Sequence, residues 1–528
     1  MLRAFLMLIS NEEFIAIVVA ANGHSDFHRV SNRCSQEVSS KSERFHLPCW
    51  ASALREMLNG LAELEFSPRQ TAPLQKVCEA GSEYGLRALE RTVSSELFCL
   101  LRPKAKRCIK NDLQRILVRV TRPSFALELD SFRCAYKAIY SQKVFSTPES
   151  IEKRFLGERP YDRLILLFKR FPVLAKLWSQ LICQWCDSVP EFLARLQRDR
   201  QAISRFFFAG QPIGQIIDLH SGLSDSHNKG RAVMRVQFQV GSIMYKPRPG
   251  HGEQQWFELV EYLNARSLRP KWRAARVLCR NGYCWMEEVR FAACKNHSAA
   301  RRFYERLGGM IAAAYLLRAV DCHRDNVIAS GEYPVLVDAE TLWHVTKTRS
   351  PFDLLYKTGF LPSSGRRSSY QYRSSVLGRT VRGKHTPHIG ARPLSATQYE
   401  NEIVSGFRRG WQCLLGTPIR RAAFRRCLQH LLGQERRRIY WSSKNYDAIR
   451  RASIQPAALR NGADRRELIA RSCTRNAVCE TVIRKEINAL KRLDIPYFTF
   501  NTKTLPSLPK DNTAPVELAE ALQKAVHL

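Results

Sequence analysis

The sequence predicts an α+β protein in which helical regions flank a middle segment that alternates helix with antiparallel strand. Three observations predict this. Apolar residues recur at helical spacing from about 46 to 215, the period drops to two near 230, and helical spacing returns from Ala396 onward. The chain divides on that basis into a poorly patterned segment (1–45), a mainly helical region (46–215), a catalytic-core candidate (216–350) and a loop-rich, then helical remainder (351–528).

Each part has its own signal. Met1 to Ala21 is apolar, but Asn11, Glu12 and Glu13 interrupt it, so neither a membrane span nor a clean signal peptide fits. No other stretch is long and apolar enough to span, and no stable membrane insertion is expected. The apolar stretch 171–196 reads as helix. Met234, Val236, Phe238 and Val240 alternate with Arg235, Gln237 and Gln239, which predicts a half-buried strand. Gly241-Ser242 is expected to turn the chain into a second strand ending at Lys246. Helices follow at 254–265 and 301–320. A loop from Asp321 to Asn326 leads into short strands at 327–329 and 334–337, around a turn at Gly331-Glu332.

Composition narrows the function classes. Lys and Arg number 84 against 48 acidic residues, a net charge of +36. Such a surface attracts polyanions, but the basic residues are scattered and no motif that reads nucleic acid is present, so no nucleic-acid partner is expected. The 16 cysteines form no disulfide framework. Cys183 and Cys186 make a C-x-x-C on an apolar helix, with no second pair or nearby His to complete a zinc site, and no zinc is expected. Reduced thiols in a cytoplasmic protein are the simplest account.

Phosphoryl transfer needs a cation for the nucleotide phosphates, oxygen ligands for Mg²⁺ and a base at the attacking hydroxyl. The middle region offers these in order. Lys246 ends a strand, although alone it reads as a surface lysine on an edge strand. Asp321-Cys322-His323-Arg324-Asp325-Asn326 has the D-x-x-x-x-N spacing of a kinase catalytic loop. Alone it reads equally well as a polar turn capping the preceding helix. His323-Arg324-Asp325 spells a rival H-R-D, but five residues beyond Asp325 stands Ser330, so Asp321 is taken as the catalytic aspartate. Asp338-Ala339-Glu340 ends the last strand where a metal-binding acid belongs. Neither a Walker motif nor G-x-G-x-x-G occurs.

These residues carry a family resemblance. Asp225-Ser-His227-Asn-Lys-Gly-Arg231, Tyr245-Lys246-Pro-Arg248, Asp321-x-His323-x-x-Asn326, Val337-Asp338-Ala-Glu340 and Asp494-Ile-Pro-Tyr-Phe498 appear in that order. From about 130 to 510 the chain resembles the dehydratase domain of the LanM-type, class II lanthionine synthetases, whose core is similar to a lipid kinase. The resemblance implies a kinase-like core with helical additions at both ends. It implies ATP-dependent phosphorylation of Ser or Thr in a ribosomally made precursor peptide with a leader, followed by phosphate elimination to dehydroalanine or dehydrobutyrine. ATP and Mg²⁺ are the implied cofactors. Lys246 would bind phosphate, Asp321 would accept the hydroxyl proton, and Asn326 and Asp338 would hold the metal with His323 and Glu340 in support. Elimination would use Asp225, His227, Arg437 and Ser443.

The family's Arg-x-x-x-Arg-x-Thr motif is best placed at Arg437, Trp441 and Ser443, so its second Arg and its Thr are replaced. Full-length members continue into a zinc cyclase, for which this sequence leaves no room. The expectation is a dehydratase without a cyclase, with a separate cyclase as a candidate partner. Two alternatives stand beside it: a catalytically impaired, peptide-binding remnant, and a phosphotransferase that never eliminates.

Overall fold

The computed structural model describes residues 11–23, 49–62, 72–139, 148–156, 160–266, 268–344, 350–362, 375–378, 383–429, 432–474, 479–503, 508 and 514–527. The chain falls into two compact units, one of residues 1–241 and 441–496, the other of 242–440 and 497–528. Helix and antiparallel strand mix as the α+β class requires. The unit borders differ from those drawn along the sequence at 215 and 350. A change of period marks where element type changes, whereas a unit collects segments that pack together from distant parts of the chain.

The first unit is built on the helix Pro172–Phe207. The helices Asn11–Asn22, Cys49–Ala62, Pro73–Thr92, Pro103–Ile139 and Pro160–Arg170 pack against it. Pro73 and Pro172 open their helices, where the missing N–H is one the helix leaves unbonded anyway. Trp178 is fully buried, edge-on to Phe168 at 5.4 Å, and its Nε1 donates to Thr121 Oγ1 at 2.8 Å. Cys183 and Cys186 both lie on this helix, and burial pushes Cys186 up to about 12. Within the poorly patterned segment 1–45, residues 1–10 and 24–45 lie outside the described residues. Residues 11–22 form a helix because Phe14, Ile17, Val18 and Val19 find buried places. Strand β1 (Asp218–His220) pairs antiparallel with β2 (Met234–Phe238). The helices Ser443–Ala452, Gly462–Thr474 and Glu480–Lys491 share a small core of Tyr446, Ile449, Ile469, Cys473, Leu490 and Ile495.

In the second unit, β3 (Gly241–Lys246) and β4 (Val277–Arg280) flank β5 (Tyr283–Glu287), all antiparallel, with Lys246 opposite Cys284. Gly241 begins β3 instead of turning the chain; the turn falls two residues earlier, at Gln239-Val240. The helix His251–Ala265 packs on β4. The helix His297–Leu316 is buried along most of its length and crosses Glu400–Leu415 at close range. Glycine permits that approach: a Cβ on Gly308 would strike the Ile403 carbonyl, and one on Gly406 the Glu305 carbonyl. The hairpin β6 (Val327–Ser330) and β7 (Tyr333–Leu336) follows, then the short pair β8 (His388–Ile389) and β9 (Arg392–Pro393). Last, β10 (Glu435–Arg438) pairs with β11 (Phe498–Asn501). The expectation of helix from Ala396 to the end misses this pair. Glu-Arg-Arg-Arg has no apolar alternation, and its partner strand lies far along the chain.

Candidate functional site

The second unit brings Lys246, Asp321, His323, Asn326, Asp338, Glu340 and Arg437 into one electrostatic cluster. Lys246 is not a surface residue. Its ammonium is buried, 2.7 Å from Glu253 Oε1, and donates to the Val337 carbonyl at 2.6 Å. Among the described residues these are its two acceptors, which use two of its three N–H groups. Glu253 lies in the first turn of the helix His251–Ala265, where the helix dipole favours a carboxylate. Gly252 beside it lets that helix begin against the Asp338–Glu340 backbone, since a Cβ there would collide with the Ala339 carbonyl.

Arg248, two residues beyond Lys246, joins the acidic groups. Its guanidinium grips Glu253 through Nη2 to Oε1 at 2.6 Å and Nη1 to Oε2 at 3.2 Å. It also meets Asp338 Oδ1 at 2.9 Å and Glu340 Oε2 at 3.0 Å. Burial works against the charge on Glu253, but Arg248 and Lys246 outweigh it and hold the carboxyl far below its usual range. Burial likewise opposes the charge on Glu340, and Arg248 and Arg437 overcome it, so Glu340 is also held low. At Asp338 burial wins and the carboxyl is raised, despite Arg248.

The catalytic-loop candidate is shaped by its backbone. Asp321 has φ +62°, a left-handed conformation uncommon outside glycine. The Asn326 side chain donates to the Asp321 carbonyl at 2.8 Å and closes the loop across the D-x-x-x-x-N spacing. Cys322 N–H donates to the Thr358 carbonyl at 2.7 Å. His323 Nδ1 accepts from Asp325 N–H at 3.2 Å, which puts the ring proton on Nε2, 3.4 Å from Asp321 Oδ1. Loss of hydration pushes the Asp321 carboxyl up to about 6; His323 and Arg437 pull the other way, and Asp338 and Glu340 add to the rise. Asp325 of the rival H-R-D reading is 67% exposed and pairs only loosely, with His323 and Arg324.

The donor set can be tested against Mg²⁺. Val337 N–H donates to the Asn326 carbonyl at 2.8 Å, which continues the β6–β7 register and sets Asn326 and Asp338 at one end of the hairpin. Among the described residues, Asp338 Oδ2 and Asn326 Oδ1 have no partner. One carboxylate and one amide oxygen, with phosphate and water, suit Mg²⁺. Glu340 does not fit the metal role given to it from the sequence. Its Oε1 pairs with Arg437, and its Oε2 with Arg248 and with the Tyr497 hydroxyl at 3.3 Å. Among the described residues no three His, Cys, Asp or Glu side chains group to hold a metal.

Arg437, grouped with elimination by the family resemblance, therefore stands on β10 facing Glu340, and its backbone N–H donates to the Glu340 carbonyl at 3.1 Å. Asp225, His227 and Ser443 belong to the first unit. There the loop through Asn228, Lys229 and Gly230 has positive φ at all three residues. Buried Asp494 accepts from the N–H of Lys229 at 2.7 Å and of Gly230 at 3.0 Å. Ile495 N–H donates to the Ser226 carbonyl at 2.9 Å, and His227 Nδ1 donates to the Ile495 carbonyl at 2.8 Å. In the neutral ring that bond puts the proton on Nδ1. Asp225 is half-exposed, 3.7 Å from Arg450 Nη2. Ser443 opens the helix Ser443–Ala452, and Trp441 lies edge-on to Tyr446 at 5.6 Å.

Sequence reasoning gave no role to Glu253, Arg248, Tyr497 or Asp494. Two signals were available. Arg248 follows Lys246 by two, the repeat of one strand face, and Glu253 is an acid in the first turn of the next helix.

Known proteins resemble this chain in two ways. Residues 171–386 and 376–501 match the family described as Domain of unknown function (DUF4135). The Lacticin 481/lactococcin biosynthesis protein LcnDR2 of Lactococcus lactis subsp. lactis is 22% identical over 452 residues, covering 74% of this chain and 47% of that protein. The chain thus spans about half the length of that curated relative.

Proposed function

The chain belongs to the DUF4135 family, and from that premise we propose that it is a peptide-modifying enzyme of lanthipeptide biosynthesis. It phosphorylates Ser and Thr of a precursor peptide with ATP and then eliminates the phosphate. The observation that carries this reading is the buried Lys246–Glu253 pair in one cluster with Asp321, Asn326 and Asp338, the set of parts that phosphoryl transfer uses. The similarity to a lacticin 481 biosynthesis protein supports the substrate class.

In the first step the remaining N–H of Lys246 holds a phosphate oxygen of ATP. Asp321, oriented by His323, accepts the proton of the substrate hydroxyl as its oxygen bonds to the γ-phosphorus and ADP leaves. Asn326 and Asp338 would hold Mg²⁺, which supplies positive charge to the phosphate oxygens. Glu253, Arg248, Glu340 and Arg437 fix the geometry of the two acidic segments. In the second step His227 Nε2 takes the α-proton, the Cα–H electrons form the Cα=Cβ bond, and the Cβ–O bond breaks with its electrons leaving on phosphate. Asp225 and Ser443 serve that step.

The test is mass spectrometry of the precursor peptide after incubation with ATP and Mg²⁺, which should give a phosphate adduct and then net loss of water. A second reading, phosphorylation without elimination, is favoured by Trp441 and Ser443 standing where the family motif has Arg and Thr. A phosphate adduct that never loses phosphate would select it.

A further inference from the structure

Beyond the acidic cluster, the second unit places two cysteines side by side. Strand β4 runs into β5 through the two-residue turn Asn281-Gly282, with Arg280 opposite Tyr283 and Cys279 opposite Cys284. Gly282 supplies the turn's positive φ of +81°. In a hairpin closed by two residues the flanking pair exchanges hydrogen bonds, and the next pair is the non-hydrogen-bonded one, where side chains come closest. Cys279 and Cys284 hold that next place. Cα atoms in such a pair stand about 4.5 Å apart, within the roughly 4.4–6.8 Å that a disulfide spans. Both residues are free thiols.

The two sulfurs also share one space. A Cβ on Gly250 would fall 2.5 Å from the Cys284 sulfur and 3.2 Å from that of Cys279. Gly250 caps the helix His251–Ala265, whose first turn carries Glu253. On its other side Cys284 stands opposite Lys246 of β3. Residues directly opposite across a ladder point to the same face, so Cys279, Cys284 and Lys246 form one row across three strands, against the start of that helix. Cys284 is fully buried, whereas Cys279, on the outermost strand of the sheet, is partly exposed. Burial pushes Cys279 up to about 12 and raises Cys284 as well. Both thiols therefore stay protonated near neutral pH and react slowly, which suits a lasting change of thiol–disulfide balance and not a brief burst of oxidant.

We propose that Cys279 and Cys284 are a redox modification site, closing to a disulfide that shifts the first turn of the helix His251–Ala265 and loosens the Lys246–Glu253 pair. The oxidant is a small-molecule disulfide such as oxidised glutathione. Cys279, which solvent reaches, attacks one of its sulfurs as the thiolate; a mixed disulfide forms and one glutathione thiol leaves. Cys284 then attacks the Cys279 sulfur, the protein disulfide forms and the second glutathione thiol leaves. The two protons from the cysteines end on the two glutathione thiols, and the two electrons lost by the cysteines have reduced the glutathione disulfide. Bonded sulfurs lie about 2.0 Å apart, so the pair moves within the space against Gly250, and the cap of the helix moves with it. The bond is independent of the function proposed above; its effect on activity rests on that reading.

The experiment equilibrates the full chain against mixtures of reduced and oxidised glutathione, quenches in acid, alkylates and digests with trypsin. Cleavage after Arg280 separates the two cysteines, so the disulfide appears in mass spectrometry as two joined peptides that part on reduction. Activity is read in parallel on a precursor peptide whose own cysteines are blocked. Oxidising mixtures should join the peptides, and ATP-dependent modification should fall in proportion to the joined fraction and return on reduction. Cys279→Ser, a change on the partly exposed outer strand, should keep its activity in the same mixtures. Separate peptides across the whole range overturn the site. Joined peptides with unchanged activity, or an equal loss of activity in Cys279→Ser, overturn its hold on Lys246. If the reduced parent never modifies the precursor, the proposed function falls, and the joined peptides decide the site by themselves.

Discussion

Lys246 and Glu253 meet at 2.7 Å inside the second unit, one from the end of a strand and the other from the first turn of the helix that follows. Glu253 has no solvent exposure and serves two cations at once, Lys246 and Arg248. Replacing it by Gln leaves both cations buried with one fewer negative charge. The expected cost is about 3 kcal/mol of unfolding free energy in urea, with loss of ATP-dependent modification. Wild-type stability and activity in Glu253→Gln would remove the pair from the account.

The pH dependence follows from Asp321. Its carboxyl is pushed up to about 6 by lost hydration, and only the ionised form can accept the hydroxyl proton. The phosphorylation kcat/KM should therefore rise with pH through about 6 and level off above it. A rate that is flat from pH 5 to 7 contradicts the assignment of Asp321 as base.

Asp494 holds the left-handed loop at Lys229 and Gly230 by two charge-assisted bonds, and the neighbouring Ile495 carbonyl fixes the His227 ring. Asp494→Ala should cost about 1–3 kcal/mol by leaving these N–H groups unbonded. The variant should also phosphorylate peptide yet accumulate the phosphopeptide, because His227 is no longer aimed. Normal dehydration by a destabilised Asp494→Ala would mean that the loop plays no part in elimination.

Much of the candidate cluster could be read from the sequence because its parts are local. The spacing from Asp321 to Asn326 is the closed loop itself, with the Asn326 amide on the Asp321 carbonyl. The β6–β7 hairpin then delivers Asp338 beside it. Long-range pairing was not legible. Glu340 looks like a metal ligand in sequence, and only the arrival of β10 with Arg437, and of Tyr497, uses up its oxygens. The tie between Asp494 and Lys229 joins residues 265 positions apart. In the fold, strand alternation revealed β2, whereas the charged strand Glu435–Arg438 carries no apolar pattern to announce it.

Gly252 lets the helix His251–Ala265 begin against the Ala339 carbonyl. Gly252→Ala should push that helix away, lower stability by about 1–3 kcal/mol and weaken ATP binding, since Lys246 and Asp338 are held by groups on either side of the contact. Calorimetric titration with ATP and Mg²⁺ checks this. Unchanged affinity would show that the close approach is not needed for the proposed nucleotide site.

In the proposed function, Asp321 of the second unit drives ATP-dependent phosphorylation of a peptide hydroxyl. The most direct measurement is mass spectrometry of precursor peptide incubated with ATP, Mg²⁺ and either the parent chain or Asp321→Asn, both checked for the same thermal unfolding. The parent should yield phosphorylated and dehydrated peptide, and a folded Asp321→Asn should leave the peptide unmodified. Modified peptide from Asp321→Asn at the parent's rate would contradict that role.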